Sequence, residues 1–359
     1  ALRVVGKHQE TAVLAWERLD KSTHRTLTRT AIAALMSPYD PPGALLDVAC
    51  GAGPGTDLAR DVAATLQVRV SGVYRLRQAQ VSAVLQVRSG GDRVSARDRL
   101  ASLEESRSLS ASERRVLTVW GGLVDLADPW AAVGNRIARL RAVVREDASD
   151  IPLASVLLAK SARLGGNPTL VSASLEALAP TPHSSLAALH ALEQAELAVR
   201  SGETSAASAA CSSALSTAEY GFLDRVAVQV LCLSSEALRE DNKAKAAVLM
   251  AERAVLLADG LGCPRMVSLA LTNRAIGSLL HGDLTGAIDD LMEASVHLID
   301  GDTGLQTWVR AWLGGAFLQR GMLDKARACL RRLDPGTDGL PAELSMLVHS
   351  WNAWLAVQQ

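Results

Sequence analysis

Apolar residues recur at three- and four-residue spacing through the C-terminal two thirds of the chain, as in Leu140, Val143 and Val144 or Leu153, Val156 and Leu157. That period puts them on one face of a helix. A longer period is superimposed on it. Four polar breaks, Gly202, Asn242, Gly282 and Gly321, are followed five positions later by Ala207, Ala247, Ala287 and Ala326. The breaks are 40, 40 and 39 residues apart. A small residue stands seven positions before each one: Ala195, Ser235, Ala275 and Gly314. Ala214, Ala254 and Ala294 follow the first three breaks by twelve residues, with Leu333 in the last unit. Gly or Asn ends a helix in a left-handed turn, and small residues let two antiparallel helices lie close. Weaker copies surround Gly166, followed by Val171, and Asp128.

The pattern predicts about six helical pairs over residues 108–359. The last segment, "LPAELSMLVHSWNAWLAVQQ", begins one more helix of the first type. Either its partner is absent or it is the closing cap, whose outer face would be polar. These units resemble tetratricopeptide-like helical hairpins, with a period longer than the usual one of about 34 residues. In that family the first helix of each pair lines a concave surface. The resemblance therefore implies a lining that includes Glu196, Arg200, Gln229, Glu236, Arg239, Thr272 and Trp308. Groups of both signs with a Trp suit a small polar effector or an extended peptide, and an ordinary solvated inner face is the alternative. Trp308, Trp312, Trp351 and Trp354 gather near the C-terminus, as core or as an apolar surface.

Composition agrees with helices. Of 359 residues 48% are hydrophobic, yet only Trp 7, Tyr 3 and Phe 2 are aromatic. Ala, Leu and Val must build the core, and the first two favour helices over strands. With 37 basic and 38 acidic residues the formal charge is −1, which argues against a surface that neutralises many phosphates. Direct nucleic-acid binding is therefore not expected. Cys50, Cys211, Cys232, Cys263 and Cys329 are odd in number and scattered, which reads as buried thiols in a reducing cytoplasm. No apolar run approaches about 18 residues, so no membrane span is expected. The opening residues lack a signal-peptide apolar region.

Residues 1–107 carry a different text. "LLDVACGAGPGTDLA" at residues 45–59 resembles the first motif of S-adenosylmethionine-dependent methyltransferases, whose glycines let backbone approach the cofactor. Tyr74 stands where that family has a ribose-binding acid, and no alternating strand–helix pattern follows. The longer stretch from Trp16 to Val87 resembles the winged-helix segment of large ATP-binding LuxR-family transcriptional regulators. These are signal-transduction ATPases with numerous domains, and maltose-type activators are relatives. The features carrying the resemblance are Leu19-Asp20, Tyr39-Asp40-Pro41, the hairpin text "GVYRLR", a helix beginning "QAQVSAVL" and the following "GGDRVSARDRLASLEE". The family usually has a His after "YRLR", contacting the β-phosphate of ADP. Gln78 occupies that nucleotide-sensor position and cannot become cationic.

No GxxxxGK[ST] occurs, so a phosphate-cradling loop would belong to a domain upstream. ATP or ADP is implied only for that domain, and no cofactor for this chain. No metal-ligand spacing and no catalytic set can be assembled. "LSASERRVLTVWGGLVDLADPW" at residues 109–130 faintly resembles a LuxR-type helix-turn-helix but lacks a polar recognition helix.

The fold expected is mostly α: a small winged-helix domain over 1–107, then a tetratricopeptide-like repeat over 108–359. The function expected is a non-enzymatic, cytoplasmic fragment of a bacterial LuxR-family regulator. It would bind a small-molecule effector or a protein or peptide in its groove, with self-association possible. A methyltransferase-like domain fused to the repeat and a non-sensing scaffold are the other readings.

Overall fold

The computed structural model describes residues 111–125, 133–146, 152–177, 185–220, 224–261, 264–298, 303–331, 333 and 342–358. Among them are thirteen α-helices and no strand. In chain order these are α1 (Ala111–Asp125), α2 (Val133–Glu146), α3 (Pro152–Leu164), α4 (Pro168–Glu176), α5 (Ser185–Arg200), α6 (Thr204–Tyr220) and α7 (Asp224–Glu240). Then follow α8 (Ala244–Gly260), α9 (Pro264–His281), α10 (Leu284–Val296), α11 (Thr303–Gln319), α12 (Leu323–Leu330) and α13 (Ala342–Val357).

Each helix packs on its successor, giving six consecutive hairpins and a last helix of the first type. First helices also pack on the next first helix: α3 on α5, α5 on α7, α7 on α9 and α9 on α11. That second set of contacts lines up the first helices as one continuous face.

The breaks do what their residue types suggest. Gly166, Gly202, Gly282 and Gly321 have φ of +69°, +73°, +92° and +76°, and Asn242 has +56°. At Asn242 the Lys243 N–H donates to Leu238 O at 2.8 Å and the Asn242 N–H to Arg239 O at 3.0 Å. This nested pair of bonds satisfies carbonyls that a helix end leaves open, and it recurs at Gly166, Gly282 and Gly321. The chain then re-enters a helix at once. Asn167 Oδ1 accepts from Leu170 N at 3.0 Å, and Asp283 Oδ1 from Gly286 N at 2.9 Å.

Every small residue of the period is fully buried at a helix crossing: Ala195, Ser235, Ala275, Ala207, Ala247, Ala287, Ala326, Ala214, Ala254 and Ala294. A Cβ placed on Gly314 would come within 2.7 Å of Leu330 Cδ2, so α11 and α12 meet there backbone against side chain. The weaker unit at Gly166 is a complete hairpin, with Ala159 seven positions before the break and Val171 five after it both buried. Leu and Val fill the remaining volume, each buried side chain contributing roughly 1.5–3 kcal/mol.

At the C-terminal end α13 rests on α11 and α12. Trp351 meets Trp312 edge to face with ring centroids 6.1 Å apart, and Trp354 stacks on Trp351 at 5.5 Å. Met346, Trp354 and Val357 are exposed on α13 together with His349, Ser350 and, just past its end, Gln358, so its outer side mixes apolar and polar residues. The winged-helix segment, its hairpin, Gln78, the glycine-rich motif at 45–59 and the break at Asp128 all lie outside the described residues. Residues 111–125, within the segment that resembled a helix-turn-helix, form the first helix of a hairpin, with Leu117 and Val119 buried.

Candidate functional site: the first-helix face

Polar side chains concentrate where consecutive first helices touch. On α3, Lys160 and Arg163 are one turn apart; on α5, Glu193, Glu196 and Arg200 follow at three- and four-residue spacing on one side. Packing α3 on α5 brings the two sets together. Arg163 Nε donates to Glu193 Oε2 at 2.9 Å, and Arg163 Nη1 lies 3.5 Å from Glu196 Oε2. Lys160 Nζ is 3.7 Å from Glu193 Oε1, and Arg200 Nε is 3.8 Å from Glu196 Oε2.

Glu193 is only 1% exposed, so its charge depends on these partners. Burial alone would raise its pKa; Arg163 first, then Lys160, outweigh burial and hold the carboxyl below the usual range. Burial likewise opposes the charge of Arg163, and Glu193 with Glu196 more than restores it, raising that guanidinium above its ordinary value.

One level along the face the chemistry changes. Arg239 on α7 donates through Nη1 to Asn273 Oδ1 on α9 at 3.2 Å and to its own-helix neighbour Ser235 Oγ at 3.5 Å. Burial lowers the Arg239 pKa, against the opposing influence of Glu236, Cys232 and Glu240. Burial pushes Cys232 up to about 12 and raises Cys211 despite its hydrogen bond with Ser234.

Of the lining residues expected from sequence, Glu196, Arg200, Glu236 and Arg239 belong to the polar set at this face. Gln229, half-buried, lies two turns before Glu236 on the same side of α7. Thr272 departs from the expectation. It is fully buried, and its hydroxyl donates to Ser268 O at 2.7 Å, a bond that lets a helical Thr sit inside packing with its polar atom satisfied. Trp308 is half-buried and packs against both large apolar clusters, so it joins the core of α7–α13. Lys160, Arg163, Glu193 and Asn273 were missed. Their signal is positional: Arg163 and Arg239 stand three residues before a break, and Glu193 and Asn273 nine before the next one.

Among the described residues no group of three His, Cys, Asp or Glu side chains could hold a metal ion. No helix among them is long and apolar enough to cross a membrane. The site offers charged and neutral hydrogen-bonding groups on a rigid helical frame, which suits recognition.

No protein-family model matches the chain, and no curated protein matches it in sequence. Solved structures do match. One is a chain of the APC/C hetero-tetramer Cut9–Hcn1, at a TM-score of 0.58 and 12% identity, covering 96% of this chain and 58% of that one. Another is a signal transduction ATPase with numerous domains with a tetratricopeptide repeat sensor from Pyrococcus horikoshii, at a TM-score of 0.50 and 13% identity. That match covers 97% of this chain and 61% of the other, so this chain spans about three fifths of each structure. The chain has a tetratricopeptide-like, α-helical repeat fold.

Proposed function

We propose that this chain is the effector- or partner-sensing part of a bacterial LuxR-family transcriptional regulator of the signal-transduction ATPase class. The observation that carries the recognition role is a pair of polar clusters on the first-helix face: Lys160 and Arg163 on α3 with Glu193, Glu196 and Arg200 on α5, and Arg239 on α7 with Asn273 on α9. Charged groups of both signs held along one face give a ligand fixed points for orientation.

The regulator context rests on residues 1–107, whose text resembles the family's winged helix, and on the order in which a repeat follows it. The fold likeness to an ATPase of that class bearing a tetratricopeptide repeat sensor supports the repeat's part in this reading. In this reading the chain is not itself an enzyme, and ATP or ADP is handled by a domain outside it. The cytoplasm is its compartment. A small molecule, peptide or protein seated on the first-helix face biases assembly of the whole regulator.

Thermal shifts measured against metabolite and peptide libraries test the reading. A binder is expected whose stabilisation is lost in Arg200→Ala or Glu236→Ala. Flat responses throughout, with normal regulation in cells carrying those variants, would exclude the sensing role.

A further inference from the structure

Two second helices of the stack carry a surface that the repeat itself does not require. At seven and fourteen residues after its break, α8 exposes Leu249 and Leu256; at ten and fourteen, α10 exposes Met292 and Val296. Leu256 and Val296 are 73% and 80% exposed and hold the same position in consecutive hairpins, so they face the same way. In α6 the positions seven, ten and fourteen after the break are Ala209, Ser212 and Ser216, all exposed. The frame therefore accepts small and polar side chains here, and packing does not account for four large apolar ones. Single exposed apolar residues are ordinary, whereas a cluster marks a surface that binds.

The charge beside these residues is one-sided. Glu252 stands between Leu249 and Leu256 on α8, about one turn from each, and Asp289 and Glu293 alternate with Met292 and Val296 on α10. No basic residue occurs in α10. The first helix α9 packs against both α8 and α10, and its Arg274 donates from Nε and Nη2 to Asp290 at 2.8 and 2.6 Å. That bond raises the Arg274 pKa against burial, and Glu252 of α8 and Glu293 of α10 add to the rise, so acids of both second helices surround one guanidinium. Arg274 is committed to Asp290, and Arg253 on α8 is turned towards Glu219 of α6 at 3.9 Å. Glu252, Asp289 and Glu293 make no ion pair among the described residues.

We propose that the outer faces of α8 and α10 dock a basic amphipathic helix of a protein partner. Its apolar side rests on Leu249, Leu256, Met292 and Val296, and its Lys or Arg side chains reach Glu252, Asp289 and Glu293. Leu249 and Leu256 lie two turns apart, the i, i+7 spacing at which an amphipathic helix presents its own anchors. The acids select against other occupants. They repel the phosphates of an anionic lipid surface or a nucleic acid, and in a twofold contact with a second copy they would meet like charges. The surface belongs to the second helices, so it stands whether or not the first-helix face binds a ligand.

Fluorescence anisotropy of labelled synthetic peptides, titrated with the full chain, tests this. The probes are a Leu/Lys peptide with Leu at helical spacing, the same peptide with Glu in place of Lys, and a scrambled Leu/Lys peptide. The Lys helix should bind saturably, and the other two at least about tenfold more weakly. Leu256→Ser with Val296→Ser should weaken the Lys helix by about tenfold, with an unchanged melting temperature because both side chains are exposed. Glu252→Lys with Asp289→Lys and Glu293→Lys should invert the preference towards the Glu helix. The proposal is overturned by equal binding of the three peptides, by binding that Leu256→Ser with Val296→Ser leaves unchanged, or by a preference that charge reversal does not move. Self-association in sedimentation, or binding to phosphatidylglycerol vesicles, that the same Ser variants abolish would assign the face to a second copy or a membrane and overturn it as well.

Discussion

Arg163 and Glu193 are joined across α3 and α5 by a 2.9 Å hydrogen bond between charged groups, with 12% and 2% of their side chains exposed. Removing one member of such a pair leaves the other buried without its counter-charge. Glu193→Ala is expected to cost about 3 kcal/mol in urea denaturation. Replacing both residues by Leu should cost far less, because two apolar side chains need no compensation.

The same carboxylate gives the stack an acid sensitivity. Its folded pKa lies below the ordinary value of 4.5. In acid the unfolded chain therefore takes up the proton first, and stability is drawn away from the folded state. The contribution is fully present above 4.5 and falls as the pH drops through the folded value. Urea midpoints measured between about pH 6 and pH 3 should converge for the native chain and Glu193→Gln as the acid end is approached. Parallel curves would contradict this.

Asn242 ends α7 with a φ of +56°, where the other four breaks use Gly. A side chain with Cβ and no local hydrogen bond is strained in that region. Asn242→Ala should lose about 1 kcal/mol by thermal denaturation, whereas Asn242→Gly should match or exceed the native stability.

Two helical glycines should respond oppositely to alanine. A Cβ on Gly315 would run into the ring of Trp351, which cannot withdraw because it is stacked on Trp354. Gly315→Ala is expected to destabilise by about 1–3 kcal/mol and to change Trp fluorescence. Nothing lies within 4 Å of a Cβ on Gly134, so Gly134→Ala should stabilise α2 by roughly 0.5–1 kcal/mol.

Thiol labelling should follow burial. Cys232, buried and pushed up to about 12, and Cys211, buried and also raised, should resist iodoacetamide in the folded protein at pH 8. Half-buried Cys329 should label first among these three, as read by peptide mapping. Equal rates would mean that α6 and α7 open together.

The repeat was legible because it is written in residues whose size and backbone freedom admit few substitutes. Gly202, Asn242, Gly282 and Gly321 mark the turns, and Ala207, Ala247, Ala287 and Ala326 mark the crossings. Part of the candidate site was legible through the same phase. Glu196, Arg200, Glu236 and Arg239 lie on the polar first-helix face. Thr272 shows the limit of that method. A family position can be right in phase while the side chain, turned one residue around the helix, is sealed by packing. Arg163 and Glu193 were missed for the opposite reason. Each reads as an ordinary charged residue on an amphipathic helix, and their meeting spans 30 residues of chain.

Local chemistry in the sequence was sufficient to set the helices, their turns and their pairing, since those depend on residues close together in the chain. Which charges would be buried, and which would meet a partner, depended on how one hairpin stacks on the next. Lateral packing of α3 on α5 supplies Arg163 with two carboxylates, and packing of α7 on α9 leaves Arg239 facing Asn273. An electrostatic environment is a sum over neighbours in space, and only the folded stack determines who those neighbours are.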